Sequence, residues 1–208
     1  MRIARLDLPP EPIEIAAGSV QLRPWQDGYA PDVLTGLTDP EWLRWSSRRG
    51  PASLADAVAW IRRRPERWRE GSVLSLAVMD TANGALLGEI ELTDLNAFLA
   101  SANVGYWTMP SARGRGVATA AVAAITRWAF EALHLHRLEI GHAPGNIASC
   151  RVAERCDFVR EGVLRSYLPR VGGGWFDIEL HARIAPEAAG RTAPEAARGT
   201  APEPGAEA

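Results

Sequence analysis

The 208-residue sequence contains no lysine, because all 23 of its basic residues are arginines. This absence excludes a phosphate-binding loop of the Walker type, a Schiff-base lysine and any catalytic lysine. Cysteine is also scarce: Cys150 and Cys156 lie six positions apart, a spacing that matches neither a CxxC metal pair nor a disulfide framework. We therefore expect two free thiols and a reducing compartment.

Long hydrophobic runs and an excess of one charge are missing too. The longest uncharged stretch, residues 95–112, contains Asn, Ser, Gly and Pro, which a membrane-spanning helix tolerates poorly. The N-terminal sequence lacks the apolar core of a signal peptide. The net charge is only -2, which argues against a basic surface for nucleic acid. We expect a cytoplasmic protein that binds neither membranes nor nucleic acids.

The composition changes near the end of the chain. Residues 185–208 are dominated by Ala, Pro, Glu and Gly and contain the sequence TAPE twice. Such a segment cannot bury enough apolar surface to offset the entropy lost on ordering. We therefore expect one folded domain over residues 1–184, followed by a disordered tail over residues 185–208.

Hydrophobic periodicity predicts an α/β domain of the α+β type with a mixed sheet. Helical spacing is found at residues 31–38, 54–64, 117–133 and 146–156. Strand-like runs are found at residues 20–25, 72–79, 85–92, 104–109, 137–142, 158–167 and 175–184. The early strands follow one another through short turns, as in an antiparallel hairpin set, whereas helices separate the later ones.

A glycine-rich segment, Pro110–Thr119 (PSARGRGVAT), joins a predicted strand to the most regular helix. Gly114 and Gly116 let the backbone approach a ligand closely, and a helix start presents unpaired N–H groups to an anion. Arg113 and Arg115 add positive charge suited to phosphate. The segment predicts a diphosphate site. A purely structural glycine turn is the alternative, and a dinucleotide site built on GxGxxT is the competing cofactor hypothesis.

The same loop resembles that of a known family. Residues 113–118 fit the (Gln/Arg)-x-x-Gly-x-(Gly/Ala) pyrophosphate loop of the GNAT superfamily of N-acetyltransferases. Further along, Pro144–Ser149 (PGNIAS), Val152–Glu154 (VAE) and the pattern Phe158-x-x-Glu-Gly162 resemble the ribosomal-protein, RimJ/RimL-like branch of that superfamily. The loop alone is weakly specific, but these motifs are strong together in this order and spacing.

The resemblance implies both fold and chemistry. It implies the GNAT fold, a central, mostly antiparallel, twisted sheet flanked by helices, with acetyl-CoA as cosubstrate. Transfer to a primary amine, either a protein N-terminal α-amine or a small-molecule amine, would occur by direct attack in a ternary complex, with a homodimer as one possible assembly. The sequence departs from the family at Asp157, where glycine is usual, and at His181, where tyrosine is frequent.

The resemblance also assigns cofactor-binding residues. Backbone N–H groups around Thr108 and Met109 are expected to stabilise the oxyanion, and Asn146 is expected to bind pantetheine amides unless it serves only as a helix N-cap. The full expected cofactor-binding set is Thr108, Met109, Arg113, Gly114, Arg115, Gly116, Val117, Ala118, Thr119 and Asn146.

Two residues are expected to be catalytic. The resemblance makes Ser149 the candidate for protonating the departing thiolate, because in this superfamily its helix lies beside the pantetheine and no tyrosine occurs between Asn146 and Phe158. The alternative is that Ser149 is only a first-turn residue of the helix. Glu91 is the first candidate for relaying the proton of the amine through water. The other candidate bases are Glu89, Asp177, Glu179 and His142.

The remaining expectations concern the acceptor pocket, metals and other functions. Trp42, Trp45 and Trp60 are expected either to shape the acceptor pocket or to belong to the core. No metal site is expected, since His134 and His136 have no partners at metal-ligand spacing. Two further function classes stay open: a non-catalytic module that binds coenzyme A, and an oxidoreductase that uses a nucleotide cofactor.

Overall fold

The computed structural model describes residues 6–186 of the chain. The strands, in chain order, are β1 (Ile15–Ala17), β2 (Val20–Arg23), β3 (Val73–Asp80), β4 (Leu86–Asn96), β5 (Ser101–Thr108), β6 (Arg137–His142), β7 (Val159–Pro169) and β8 (Trp175–Ile184). The helices are α1 (Ala30–Leu37), α2 (Pro40–Trp45), α3 (Leu54–Arg62), α4 (Arg64–Arg69), α5 (Val117–Glu131) and α6 (Ile147–Arg155).

The strands form one sheet in the order β1-β2-β3-β4-β5-β6-β8-β7. Neighbouring strands are antiparallel except for β5 and β6, which are parallel. These two strands pair only where Ser101–Asn103 meets Arg137–Glu139, although both continue for several residues beyond. The mixed, mostly antiparallel sheet predicted from the sequence is therefore confirmed, and its parallel pair opens into a gap.

The two faces of the sheet carry different groups, because side chains alternate along a strand. On β4, Ile90 and Leu92 are fully buried and belong to the main hydrophobic core, whereas Glu89 and Glu91 point to the opposite face. Helices α1 and α4 lie on the glutamate face, and α6 lies on the other. Helices therefore cover both faces of β4 and β5, beside the gap between β5 and β6.

The sequence patterns did not predict three short elements, β1, α2 and α4. Pro65, which we expected to follow the end of the second helix, instead lies in the first turn of α4. Proline is accepted there because the N–H groups of a first turn have no intrahelical acceptor. Pro40 occupies the same kind of position in α2, with Asp39 as the N-cap.

The turn after α6 keeps its shape although Asp157 replaces the usual glycine. Asp157 has a φ of +59°, in the left-handed region. Its N–H donates to the carbonyl of Glu154, and the N–H of Phe158 donates to the carbonyl of Ala153, which together form a Schellman motif. Aspartate therefore adopts the conformation that glycine would take, at some cost in backbone strain.

The C-terminal boundary of the domain differs slightly from the prediction. Ala185 packs against the core, and its N–H donates to the carbonyl of His136 at 2.8 Å, so Ala185 belongs to the fold. The rest of the predicted tail, from residue 187 onward, lies outside the described residues and stays a prediction. Both cysteines are free thiols, as expected. Within residues 6–186, no helix has the length and apolarity needed to cross a membrane.

Candidate active site

The glycine loop opens α5 without a side-chain cap. Gly114 and Gly116 have φ values of +74° and +78°, and a Cβ at either position would meet nothing within 4 Å. Gly116 is the N-cap of α5 and has no side chain to accept from the first turn. The N–H groups of Val117, Ala118 and Thr119 therefore face open space without intrahelical acceptors, as anion binding requires.

The two loop arginines pair with carboxylates from neighbouring elements. Arg113 binds Asp39, the N-cap residue of α2, and Arg115 binds Asp80 at the end of β3 at 3.0 Å. The hydrogen bond from Arg113 lowers the pKa of Asp39 below its ordinary value. An anionic ligand at the loop must share these guanidinium groups with the two carboxylates or displace them.

Strand β5 presents backbone donors to the gap. The N–H of Met109 donates to the carbonyl of Leu87 at 2.8 Å, so the expectation of a free donor at Met109 is wrong. Because bonded and non-bonded pairs alternate in an antiparallel ladder, the N–H groups of Thr108 and Tyr106 must point away from β4, toward β6. Strand β6 does not pair with β5 at that level. The open donors at the gap are therefore at Thr108 and Tyr106.

Ser149 lies in the first turn of α6 and has a partner that the sequence did not reveal. The hydroxyl of Tyr106 lies 2.7 Å from Ser149 Oγ and 3.3 Å from the carbonyl of Ser149. Burial raises the pKa of Tyr106 above its ordinary value, so this hydroxyl stays protonated at neutral pH. Tyrosine thus reaches the site from β5. We expected the proton donor on α6 alone. Strand alternation, however, places the side chain of residue 106 on the sheet face opposite that of Trp107.

Asn146 performs the capping role that we considered as its alternative. Its Oδ1 accepts a hydrogen bond from the N–H of Ser149 at 3.1 Å and so serves as the N-cap of α6. Among residues 6–186 its Nδ2 group has no acceptor. Capping and ligand binding are therefore compatible, because they use different atoms of one amide.

Glu91 lies on the glutamate face and is nearly buried. Its side chain is 13% exposed, and its Oε2 atom lacks a hydrogen-bond partner in the part of the chain that the structure describes. Arg64 and Arg48 approach the carboxylate only to 3.8 Å. Burial, followed by the charge of Glu89, raises the pKa of Glu91 to about 7. A carboxylate with this pKa suits a general base at neutral pH.

Glu89 has a structural role instead. Its carboxylate accepts from Ser75 Oγ at 2.6 Å and Trp107 Nε1 at 2.7 Å, and pairs with Arg64 at 3.1 Å. Ser75 in turn accepts from Trp25 Nε1 at 2.8 Å. These donors saturate a buried carboxylate, so Glu89 holds the indoles and Arg64 in place and has little capacity left for proton transfer.

The tryptophans divide between pocket and core. Trp45 packs against the small apolar cluster of Ala143, Phe176 and Ile178, and its ring lies 3.2 Å from the place of a Cβ on Gly145. Trp60 lies against Trp25 and beneath the guanidinium of Arg64, 3.5 Å from its ring centre. Trp42 packs against the main core. Trp45 therefore packs against the chain that follows β6, at Ala143 and Gly145.

The remaining candidate bases lie elsewhere. Asp177 is exposed and accepts from the N–H of Ser166 at 2.8 Å. Glu179 and His142 lie under α6, opposite each other on β8 and β6. None of the three lies on the glutamate face of β4.

The sequence and the fold match known proteins. Residues 19–159 match the family model described as "Acetyltransferase (GNAT) domain". The chain belongs to the GNAT acetyltransferase family. This confirms the predicted enzyme class, an N-acetyltransferase. The GxGxxT alternative lacks its structural context, because β5 follows an antiparallel hairpin and the single β5–α5–β6 unit continues into antiparallel strands.

Similar proteins agree on the fold and the family. The "Probable N-acetyltransferase YjcK" of Bacillus subtilis is 30% identical over 59% of this chain and 67% of its own length. The "Putative ribosomal N-acetyltransferase YdaF" of the same organism is 36% identical over 52% of this chain and 58% of its own. Mycobacterium smegmatis RimJ, solved with CoA-disulfide, superimposes with a TM-score of 0.77 at 29% identity, covering 86% of this chain and 90% of that one.

Proposed function

We propose that this protein transfers the acetyl group of acetyl-CoA to the α-amine of a protein N-terminus, with small-molecule amines as the alternative acceptors. One observation carries the proposal. The gap between β5 and β6 is bordered by the N–H of Thr108, with Ser149 on one face of the sheet and Glu91 on the other. This arrangement supplies the groups that acetyl transfer to an amine requires.

The cosubstrate is acetyl-CoA, the acetyl donor of the GNAT family. We assign the pyrophosphate to the first turn of α5 and the glycine loop, with Arg113 and Arg115 beside it. Asn146 Nδ2 is suited to accepting groups of the pantetheine arm, because its Oδ1 already caps α6. The thioester then reaches the gap.

The chemistry would proceed by direct attack. Glu91 takes the amine proton through water, and the amine nitrogen bonds to the thioester carbonyl carbon. The N–H of Thr108 stabilises the negative charge that develops on the carbonyl oxygen. When the carbon–sulfur bond breaks, Ser149 gives its hydroxyl proton to the thiolate. Tyr106, 2.7 Å from Ser149 Oγ, supplies a proton to Ser149 in return and regains one from solvent, while Glu91 releases the amine proton to solvent.

Two features favour an α-amine acceptor. An α-amine has a pKa of about 8 and a lysine ε-amine about 10.4, so a base with a pKa of about 7 serves the α-amine far better. In addition, the name of the relative YdaF, a putative ribosomal N-acetyltransferase, supports a protein acceptor over a small-molecule amine. The pKa argument favours an N-terminus over a lysine side chain, and the name favours a protein.

Two further parts of the proposal concern location and assembly. We place the protein in the cytoplasm, in agreement with its two free thiols. We also propose a homodimer formed through the β7–β8 edge of the sheet, because Val159, Tyr167 and Trp175 are 70%, 56% and 61% exposed there. Exposed apolar side chains grouped along one edge are typical of an interface.

The test is a panel of acceptors incubated with acetyl-CoA and read by mass spectrometry. The panel contains N-terminal peptides, the same peptides blocked at the N-terminus but carrying a lysine, and small amines. We expect acetylation of free N-terminal peptides, and loss of it with Glu91→Gln. If acetyl-CoA binds and no amine in the panel is acetylated, the protein is a coenzyme A binding module instead of an enzyme.

A further inference from the structure

Four side chains with metal-ligating atoms meet beneath α6. His142 ends β6, Glu179 and His181 lie two positions apart on β8, and Cys150 lies on α6. His142 and Glu179 are directly opposite each other in the β6–β8 ladder, so the three strand residues share one face. One ligand atom from each of the four residues lies within 4.8 Å of all the others.

Both histidines contact a backbone carbonyl through Nδ1. His142 Nδ1 lies 2.9 Å from the carbonyl of Ala143, and His181 Nδ1 lies 3.4 Å from the carbonyl of Phe158. A carbonyl oxygen only accepts, so the short contact assigns the proton of His142 to Nδ1 and leaves its Nε2 with a lone pair, whereas the longer contact of His181 is weak. Metal-binding histidines have this same outer hydrogen bond to a carbonyl or a carboxylate.

The two Nε2 atoms lie close together beside a carboxylate. His142 Nε2 and His181 Nε2 are 3.2 Å apart, and Glu179 Oε1 is 3.3 Å from His181 Nε2. The side chains of His181 and Glu179 are only 1% and 14% exposed, and His142 is also buried. Nitrogen and oxygen atoms this close need either a proton on one imidazole nitrogen or a cation among them.

We propose that this cluster binds a divalent zinc ion through His142 Nε2, His181 Nε2, a carboxylate oxygen of Glu179 and Cys150 Sγ. Zinc prefers imidazole nitrogen and thiolate sulfur, whereas magnesium and calcium prefer oxygen ligands. With Zn–N bonds of about 2.05 Å, tetrahedral geometry places two nitrogens about 3.3 Å apart, close to the separation of the histidine nitrogens. The site revises our expectation that the chain has no metal centre.

The neighbours of the site suit this role. Arg160 Nε lies 3.0 Å from Glu179 Oε1 and holds the carboxylate from outside. Zinc binds cysteine as the thiolate, so binding releases the thiol proton of Cys150 to solvent.

Spacing along the sequence does not reveal this site, because its ligands are not close along the chain. The two histidines that are close in sequence, His134 and His136, are both exposed. The ligands instead come from two strands and a helix that the β6–β8 ladder and α6 bring together. The proposal does not depend on acetyl transfer, although Cys150 follows Ser149 and a bound ion would fix the start of α6.

The test uses the full-length chain after treatment with a chelator. Calorimetric titration with Zn²⁺ should show one ion per chain, with release of a proton detected as a dependence of the enthalpy on buffer. Titration with Co²⁺ should give the intense visible bands of tetrahedral cobalt and a thiolate-to-cobalt charge-transfer band. His181→Gln should weaken Zn²⁺ binding by at least about 10-fold, and Cys150→Ala should abolish the charge-transfer band.

Two controls match these variants. Cys156→Ala removes the other thiol and His136→Gln removes an exposed histidine, and both should retain the wild-type titrations. Cys150 is only half-buried, so its variant is expected to fold even if His181→Gln does not. The proposal is overturned if the stripped protein binds no stoichiometric Zn²⁺, or if neither Cys150→Ala nor His181→Gln changes binding. In that event a shared proton between the two histidines neutralises the cluster.

Discussion

The carboxyl group of Glu91 lies against Gly105, its directly opposite partner on β5. A Cβ at position 105 would lie 3.0 Å from both Cγ and Oε1 of Glu91, so a side chain there would push the carboxylate aside. Glycine at this position lets the carboxylate extend over β5 toward the gap. The proposed base therefore depends on the absence of a side chain on the neighbouring strand.

Glu91→Gln should lower kcat/KM and remove the acidic limb of its pH profile. Because the pKa of Glu91 is raised to about 7, the wild-type carboxylate is protonated below this pH and cannot accept a proton. Wild-type activity should therefore fall as the pH drops below about 7, whereas the weak residual activity of the variant should not follow that titration. Initial rates at subsaturating acceptor, measured from pH 5 to 9, provide the comparison.

Glu66→Gln is the matched control, since Glu66 is an exposed glutamate on α4 without an ion pair in the described part of the chain. It should keep the wild-type profile. An unchanged acidic limb in Glu91→Gln would assign the base to another residue.

Gly116→Glu should abolish the rise in melting temperature that acetyl-CoA produces. A ligand that binds only the native state stabilises it by mass action. The new carboxylate would occupy the open space before α5 and repel the pyrophosphate. Gly172→Glu is the control, because Gly172 also has a positive φ, +95°, with nothing within 4 Å of a Cβ, and lies in the β7–β8 turn. If acetyl-CoA raises the melting temperature of both variants equally, the cofactor binds elsewhere.

Asp80→Asn should tighten acetyl-CoA binding by a few-fold. Asp80 Oδ2 pairs with Arg115, while Oδ1 accepts from the N–H of Ala82. Asparagine can keep the bond to Ala82 but releases the positive charge of Arg115 to the pyrophosphate. The dissociation constant, measured by calorimetry at low and high salt, should differ most from wild type at low salt. Weaker binding in the variant would mean that Asp80 positions Arg115 for the ligand.

Regular elements with long periodic patterns were predictable from the sequence. Helix α5 was expected at residues 117–133 and is found at Val117–Glu131, because its apolar stripe is long enough to outweigh local ambiguity. The six-residue helices α2 and α4 were missed because neither contains two full turns of periodicity. Their first turns contain Pro40 and Pro65, and we expected Pro65 only to follow the end of a helix.

The candidate site was predictable where one segment of chain forms it. The glycine loop depends on local φ values and a helix start, and both are visible in the sequence. Relations between strands were not visible, because they depend on register. The bond from Met109 to Leu87 and the contact between Tyr106 and Ser149 exist only after β4, β5 and α6 assemble.

The final prediction concerns Ser149 and Tyr106, and it separates an enzyme from a binding module. Ser149→Ala should lower kcat by about 10²-fold, the low end for a positioned general acid, with little change in acetyl-CoA affinity. Tyr106→Phe should also lower kcat, because it removes the hydroxyl that lies 2.7 Å from Ser149 Oγ. If the two act as one relay, the double variant should be no slower than Ser149→Ala alone.

Tyr167→Phe is the control for the tyrosine, since it removes a hydroxyl on β7 away from Ser149 and keeps the apolar ring that the proposed dimer interface uses. It should be neutral in this assay. An acyl donor whose leaving thiol has a lower pKa should reduce the deficit of both relay variants, because a better leaving group needs less protonation. The relay is disproved if Ser149→Ala keeps full kcat where chemistry limits the rate. It is equally disproved if the two defects multiply in the double variant, because independent groups add their effects in free energy, whereas a relay is already broken by the loss of either hydroxyl.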